Sequence, residues 1–122
     1  MPFAITAIDH VQLAMPAGKE AEAEAFYVDL LDFEVLPKPE PLASRGGRWF
    51  TNGQVQVHLG VDADFRPARK AHPGLVVSGL DALVTRLDGA GIGVRWDEDL
   101  PGTRRCYVDD PFGNRVELIE DR

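Results

Sequence analysis

Apolar and polar positions change period several times along the chain, and each change marks an element. From Ile8 to Leu13 they alternate loosely, which predicts a strand ended by Pro16 and Gly18. Over 19–31 the period lengthens: Phe26, Leu30 and Phe33 recur at helical spacing, with alanines at 21, 23 and 25 and Glu20, Glu22 and Glu24 near the positive N-terminal end. Phe33 to Leu36 reads as a short strand, and Pro37, Pro39 and Pro41 exclude regular structure after it. Strands at 48–51 and 54–60 follow, joined by Asn52-Gly53, a signal for a tight hairpin.

The second half runs the same way. His72 to Val77 predicts a strand, and Ser78 with Asp81 resembles a capping box. Leu80, Leu83, Val84 and Leu87 form one helical stripe ended by Gly89 and Gly91. Strands are expected at 93–96, 103–109 and 115–120, the last two joined by a turn at Asp110-Pro-Phe-Gly113. The chain is therefore a degenerate twofold repeat. His10 matches His72 at the front of each first strand, and His58 matches Glu117 in each last strand. The separations are 48 and 45 residues. The expected fold is α+β, one domain over 1–122 built of two βαβββ modules, about 5–60 and 71–120, pairing into a half-open barrel.

Length and composition fit this picture. A chain of 122 residues, 44% hydrophobic and 27% charged, suits one globular domain. A formal net charge of -7 argues against nucleic acid as a partner. The single cysteine, Cys106, excludes an internal disulfide and points to a reducing compartment, here the cytoplasm; it reads as a small strand residue. No signal peptide or apolar run of membrane-spanning length is evident.

Strand alternation puts His10 with Gln12, and Gln56 with His58, on one concave face. Imidazole with carboxylate suits zinc, iron(II), manganese, nickel or cobalt, so His10, His58, His72 and Glu117 are the candidate divalent-metal ligands. An open site of this kind polarises a carbonyl or stabilises an enolate. Arg105 is a candidate for a substrate carboxylate or phosphate, weighed against a surface role. Gln12 and Gln56 are candidate substrate partners. Trp49 and Phe50 are adjacent, so one faces the core and the other the pocket or a partner. Trp96 is read as packing, and the basic stretch Phe65 to Lys70 as a solvated loop, weighed against an anion gate.

The motifs Ile8-Asp-His-Val-Gln-Leu13, Ala25-Phe-Tyr-Val-Asp-Leu-Leu-Asp-Phe33, Val57-His-Leu-Gly60, Ala71-His-Pro-Gly-Leu-Val-Val77, Leu80-Asp-Ala-Leu83 and Asp110-Pro-Phe-Gly-Asn-Arg-Val-Glu-Leu-Ile-Glu120 cover nearly the whole chain. On these residues it resembles the vicinal-oxygen-chelate superfamily of glyoxalases, bleomycin-resistance proteins and extradiol dioxygenases. The resemblance implies paired βαβββ modules, a frequent homodimer with sites built in some members from two chains, and a metal at His10, His72, Glu117 and the more variable His58. Glyoxalase I carries a carboxylate where this chain has His58, so the likeness implies related chemistry rather than that reaction. It also places Tyr107 at a pocket-facing aromatic position and makes Tyr107 and Glu117 the catalytic candidates. The implied function is a metal-dependent lyase, isomerase or epimerase acting on a small metal-chelating oxygenated substrate. The alternatives are a drug-binding resistance protein without turnover and a small iron(II) ring-cleaving dioxygenase.

Overall fold

A computed structural model describes residues 2–122. The first module is β1 (Val11–Met15), α1 (Glu20–Tyr27), β2 (Glu34–Leu36), β3 (Arg48–Thr51) and β4 (Gln56–Val61), with a 3-10 turn at Ala43–Arg45. The second is β5 (Gly74–Val77), α2 (Leu80–Gly89), β6 (Arg95–Asp97), β7 (Arg105–Asp109) and β8 (Arg115–Glu120). Each module folds into its own four-stranded sheet, ordered β1-β4-β3-β2 and β5-β8-β7-β6. In each sheet the first and last strands of the module pair in parallel and the others antiparallel. The α+β reading and the βαβββ repeat therefore hold. Among the described residues no helix is long and apolar enough to cross a membrane.

One face of each sheet packs on its helix and builds the core. In the first sheet Leu13, Met15, Phe50, Val57 and Leu59 are buried with Phe26 and Tyr27 of α1; in the second, Cys106, Val108, Val116 and Leu118 are buried with Leu80 and Leu87 of α2. Each such aliphatic or aromatic side chain contributes about 1.5–3 kcal/mol when removed from water.

The modules are joined by buried polar groups of the β7–β8 turn. Asp110 Oδ2 accepts hydrogen bonds from Tyr27 Oη of α1 at 2.9 Å and from Asn114 Nδ2 at 3.0 Å. The same Asn114 amide donates to the Ala14 carbonyl of β1 at 2.8 Å, and its oxygen accepts from Ala68 N at 2.9 Å. The Asp-Pro-Phe-Gly-Asn segment is thus an internal clamp. Four donors around one buried carboxylate leave little of its hydrogen-bonding capacity unmet.

Several boundaries differ from the sequence expectations, each for a local reason. The first strand begins at Val11 rather than Ile8, because the parallel register that sets Val11 opposite Val57 leaves Ile8 and Asp9 opposite residues 54 and 55, ahead of β4. The second module's first strand begins after Pro73, which has no N–H to offer the ladder. Helix α1 ends at Tyr27; the chain then turns, with Asp32 at φ 61° and Phe33 N bonded to the Tyr27 carbonyl. The hairpin loop spans 52–55 rather than two residues, since Asn52 Oδ1 accepts from Gln54 N and Val55 N and only Gly53 has positive φ. The Ser78 capping box does not form: Gly79 precedes α2 in a left-handed conformation without a side-chain cap, and the Asp81 carboxylate binds Arg104 at 2.6 Å. The other end of α2 closes as expected, with Gly91 at φ 78° while Ile92 N reaches the Leu87 carbonyl. Trp96 is 44% exposed and stacks under the Arg104 guanidinium at 4.3 Å, so it is an edge residue rather than core.

Candidate functional site

The sheet faces turned away from the helices carry the polar side chains. On the first sheet, register places Gln12 and Trp49 on either side of His58. His10 lies immediately before β1 and lays its ring on His58 at 4.1 Å between centroids and 13° between planes. Trp49 covers the other face of His58 at 4.3 Å and 11°. This sandwich explains why His58 is only 6% exposed on an otherwise open face. Phe50, its neighbour, is fully buried, which settles the division between Trp49 and Phe50.

Hydrogen bonds fix what each ring offers. His58 Nε2 donates to Gln56 Oε1 at 3.1 Å, and His10 Nδ1 stands 2.9 Å from Asp9 Oδ2. Burial, and then the nearby His10, hold the His58 imidazole below its ordinary pKa. Because the two rings are stacked, their lone pairs lie in separate, nearly parallel planes. In this arrangement they do not converge on one metal ion.

The second sheet carries a different pair. His72, just before β5, donates from Nδ1 to the Lys70 carbonyl at 2.7 Å, and its Nε2 stands 2.9 Å from Glu117 Oε1. With Nδ1 committed to the carbonyl, Nε2 is the ring nitrogen left to face the carboxylate. A positive centre must lie between them, either a second proton or a metal. The distance is that of an imidazole–carboxylate hydrogen bond, and the same two atoms, an imidazole nitrogen and a carboxylate oxygen, are of the kind that would hold a divalent metal. Glu117 Oε2 accepts from Arg105 Nη1 at 3.1 Å, and Arg105 Nη2 donates to Asp97 Oδ1 at 3.2 Å. Burial pushes the Glu117 carboxyl up, but hydrogen bonds from His72 and Arg105 and their charges outweigh it and hold Glu117 below the usual carboxylate range. Tyr107, paired across the strands with Glu117, meets His72 edge-on at 5.4 Å.

The predicted residues thus form two clusters: His10, His58, Gln12, Gln56 and Trp49 on one sheet, and His72, Glu117, Tyr107 and Arg105 on the other. Among the described residues no three His, Cys, Asp or Glu side chains stand together as a metal site within one chain. A cleft of about 480 Å³ opens on the first cluster. Another of about 510 Å³ runs between β1 and β5 past His72. A larger cavity, about 660 Å³, lies beyond β6 and β7 against Trp96, Thr103 and Arg104, and touches none of the four candidate ligands. Sequence reasoning missed Asp97 as the anchor of Arg105, because pairing between β6 and β7 brings them together across a loop of unpredictable path. Lys38 of the proline-rich loop was likewise missed.

This chain belongs to the Glyoxalase/Bleomycin resistance protein/Dioxygenase superfamily, whose family model matches residues 7–118. Among solved structures it is similar to a protein described as of the glyoxalase family from Bacillus anthracis, at 46% identity and TM-score 0.94 over 100% of both chains. The genomically encoded fosfomycin resistance protein FosX from Listeria monocytogenes shares the fold at 14% identity and TM-score 0.75, over 98% of this chain and 96% of that one. So does a lactoylglutathione lyase from Agrobacterium tumefaciens, at 23% identity and TM-score 0.66, over 95% and 94%. No curated protein matches the chain.

Proposed function

We propose that this protein is a divalent-metal-dependent enzyme of the lyase, isomerase or epimerase type, acting on a small oxygenated substrate that chelates the metal. The observation that carries this is the His72 Nε2 to Glu117 Oε1 approach, with the opposite ring nitrogen tied to a carbonyl and the opposite carboxylate oxygen tied to Arg105. His72, Glu117 and His10 would hold the ion, one of zinc, iron, manganese, nickel or cobalt. His58 braces His10 by stacking rather than binding. When bound, the metal supplies Lewis acidity toward a substrate carbonyl or hydroxyl oxygen.

The chain's own groups do the rest. Arg105 fixes one Glu117 oxygen, so the other is directed at His72. Glu117, freed from that contact, is the group placed to accept or return a substrate proton. Tyr107 walls the site beside His72. Gln12 and Gln56 border the cleft on the first sheet, where their amides orient polar substrate atoms.

A second copy of the chain completes the site. Within one chain the ligand pairs stand on different sheets, and Ile8 and Val76 beside them are 82% and 67% exposed. A twofold homodimer that sets the first sheet of one copy against the second sheet of the other makes two equal sites, each with His10 from one chain and His72 and Glu117 from its partner. The setting is cytoplasmic, in keeping with a single free, buried Cys106.

Elemental analysis of protein purified without chelator, followed by titration of stripped protein with each metal, tests the reading. About one equivalent per chain is expected, lost in His72→Ala. No uptake of any of the five metals contradicts it.

A further inference from the structure

The cations of this acidic protein are unevenly matched. Arg48 pairs with Glu24, Arg86 with Asp32, Arg95 with Asp109, Arg104 with Asp81, and Arg105 with both Asp97 and Glu117. Arg105, the sequence candidate for an anionic substrate, therefore already has its charge balanced by two carboxylates. Lys38 and Arg45 differ. Like Arg66, Arg69, Lys70, Arg115 and Arg122, neither has a carboxylate within ion-pair distance among the described residues, and of these cations only Lys38 and Arg45 line the cleft that opens on His10.

The cleft is built to hold Lys38 in place. The ammonium donates to the Gly46 carbonyl and lies 5.9 Å from the Trp49 ring, whose other contact is His58. Lys38 is partly buried rather than free in solvent. Arg45 approaches from the adjoining 3-10 turn. On the facing wall Gln12 lays its amide across Gly60, where an added Cβ would stand 2.6 Å from Gln12 Nε2. The acids nearby are otherwise engaged: Asp9 on the rim with His10, and Glu20 with Gly47 N at 3.4 Å. Two unbalanced cations, amide donors and an aromatic wall make a site for an oxyanion.

We propose that the cleft lined by Lys38, Arg45, Gln12 and Trp49 is an anion subsite that takes a carboxylate or phosphoryl group of the substrate. The proposal deepens the metalloenzyme reading and rests on it for the rest of the ligand, since His10 at the rim joins the subsite to the metal. The substrate is then a small acid or phosphate ester whose charged end lies on the first sheet of one chain. Its metal-chelating oxygens lie toward His72 and Glu117 of the partner.

Titration of stripped, full-length protein with inorganic phosphate at low ionic strength, followed by nitrogen-15 NMR, tests the subsite without metal. Saturable shifts are expected at the Gly46 and Gly47 amides, the Trp49 indole and the Gln12 side chain. Lys38→Gln with Arg45→Gln is expected to weaken phosphate about tenfold or more while the spectrum stays dispersed, and Arg69→Gln to leave binding unchanged. Shifts confined to 66–70, no saturable shifts, or undiminished binding in the double variant overturn the subsite. Phosphate binding that persists in a protein unable to take up metal overturns the metal reading alone, and metal uptake without phosphate binding overturns the subsite alone.

Discussion

His72 Nε2 and Glu117 Oε1 stand 2.9 Å apart, although 45 residues separate them in sequence. The contact follows from register: β5 runs parallel to β8 with Gly74 opposite Glu117, and His72 lies two residues before Gly74. The proposed metal site needs both atoms. Glu117→Gln keeps the shape but removes the charge, and is expected to lower metal affinity by about 100-fold, a change read by competition with a chromophoric chelator. Unchanged affinity would remove Glu117 from the ligand set.

In the proposed site Arg105 would act on the metal through Glu117. By holding Oε2 it fixes the direction of Oε1, and Asp97 fixes Arg105 in turn. Arg105→Gln is expected to cost about 10- to 100-fold in metal affinity, with Asp97→Asn showing a smaller loss in the same direction. Arg105→Lys restores charge but not the planar fork, so it should recover only part of the affinity. Equal metal affinity in wild type and Arg105→Gln would show that the carboxylate needs no such support.

His58 and His10 are expected to separate by mutation. The stacked rings give His58 the role of a platform, so His58→Phe should keep metal affinity within about threefold by preserving the stack, whereas His10→Ala removes a ligand and costs about 100-fold. Isothermal titration of stripped protein reads both. A large loss in His58→Phe would make His58 a ligand and require its ring to leave the stack.

Tyr27 ties the modules at Asp110, and its phenol carries a pH signature. Burial, then the Asp110 charge and hydrogen bond, push its pKa well above 10. A group whose folded pKa is raised stabilises the fold fully below its unfolded pKa and loses that contribution as pH rises toward the folded value. Above about pH 10, stability should fall by about 1.4 kcal/mol per pH unit from this group. Tyr27→Phe should lose about 1–2 kcal/mol at neutral pH, yet show a shallower alkaline decline in urea unfolding. Parallel alkaline profiles would exclude Tyr27 as the source.

Much of this was legible in the chain. The twofold repeat follows from matched periods, and the βαβββ order from strands of period two around helical stripes. His10, His72 and Glu117 stand out because the repeat aligns them with one another. What the sequence hid depends on pairs distant along the chain. The stack on His58 needs Trp49 from the neighbouring strand, and the balance of Arg105 needs Asp97 from β6. Ser78 and Asp81 have the spacing of a cap, but Arg104 competes successfully for Asp81. Asp110 and Asn114 look like turn residues, yet their side chains face inward and clamp β1 and α1. The division of the candidate ligands between two sheets was also hidden, since the repeat matches positions without saying which sheets face each other.

A composite dimer would reunite the divided ligands, and complementation between two broken chains distinguishes it from a site within one chain. His10→Ala and Glu117→Gln chains, each unable to hold metal alone, are co-expressed with different tags, and the mixed dimers are isolated by both tags. Such a dimer has one doubly broken site and one intact site. Metal uptake of about half an equivalent per chain, close to half the wild-type value and with wild-type affinity, is expected. Mixed dimers that bind no more metal than either parent would contradict it, and would place all the ligands of each site within a single chain.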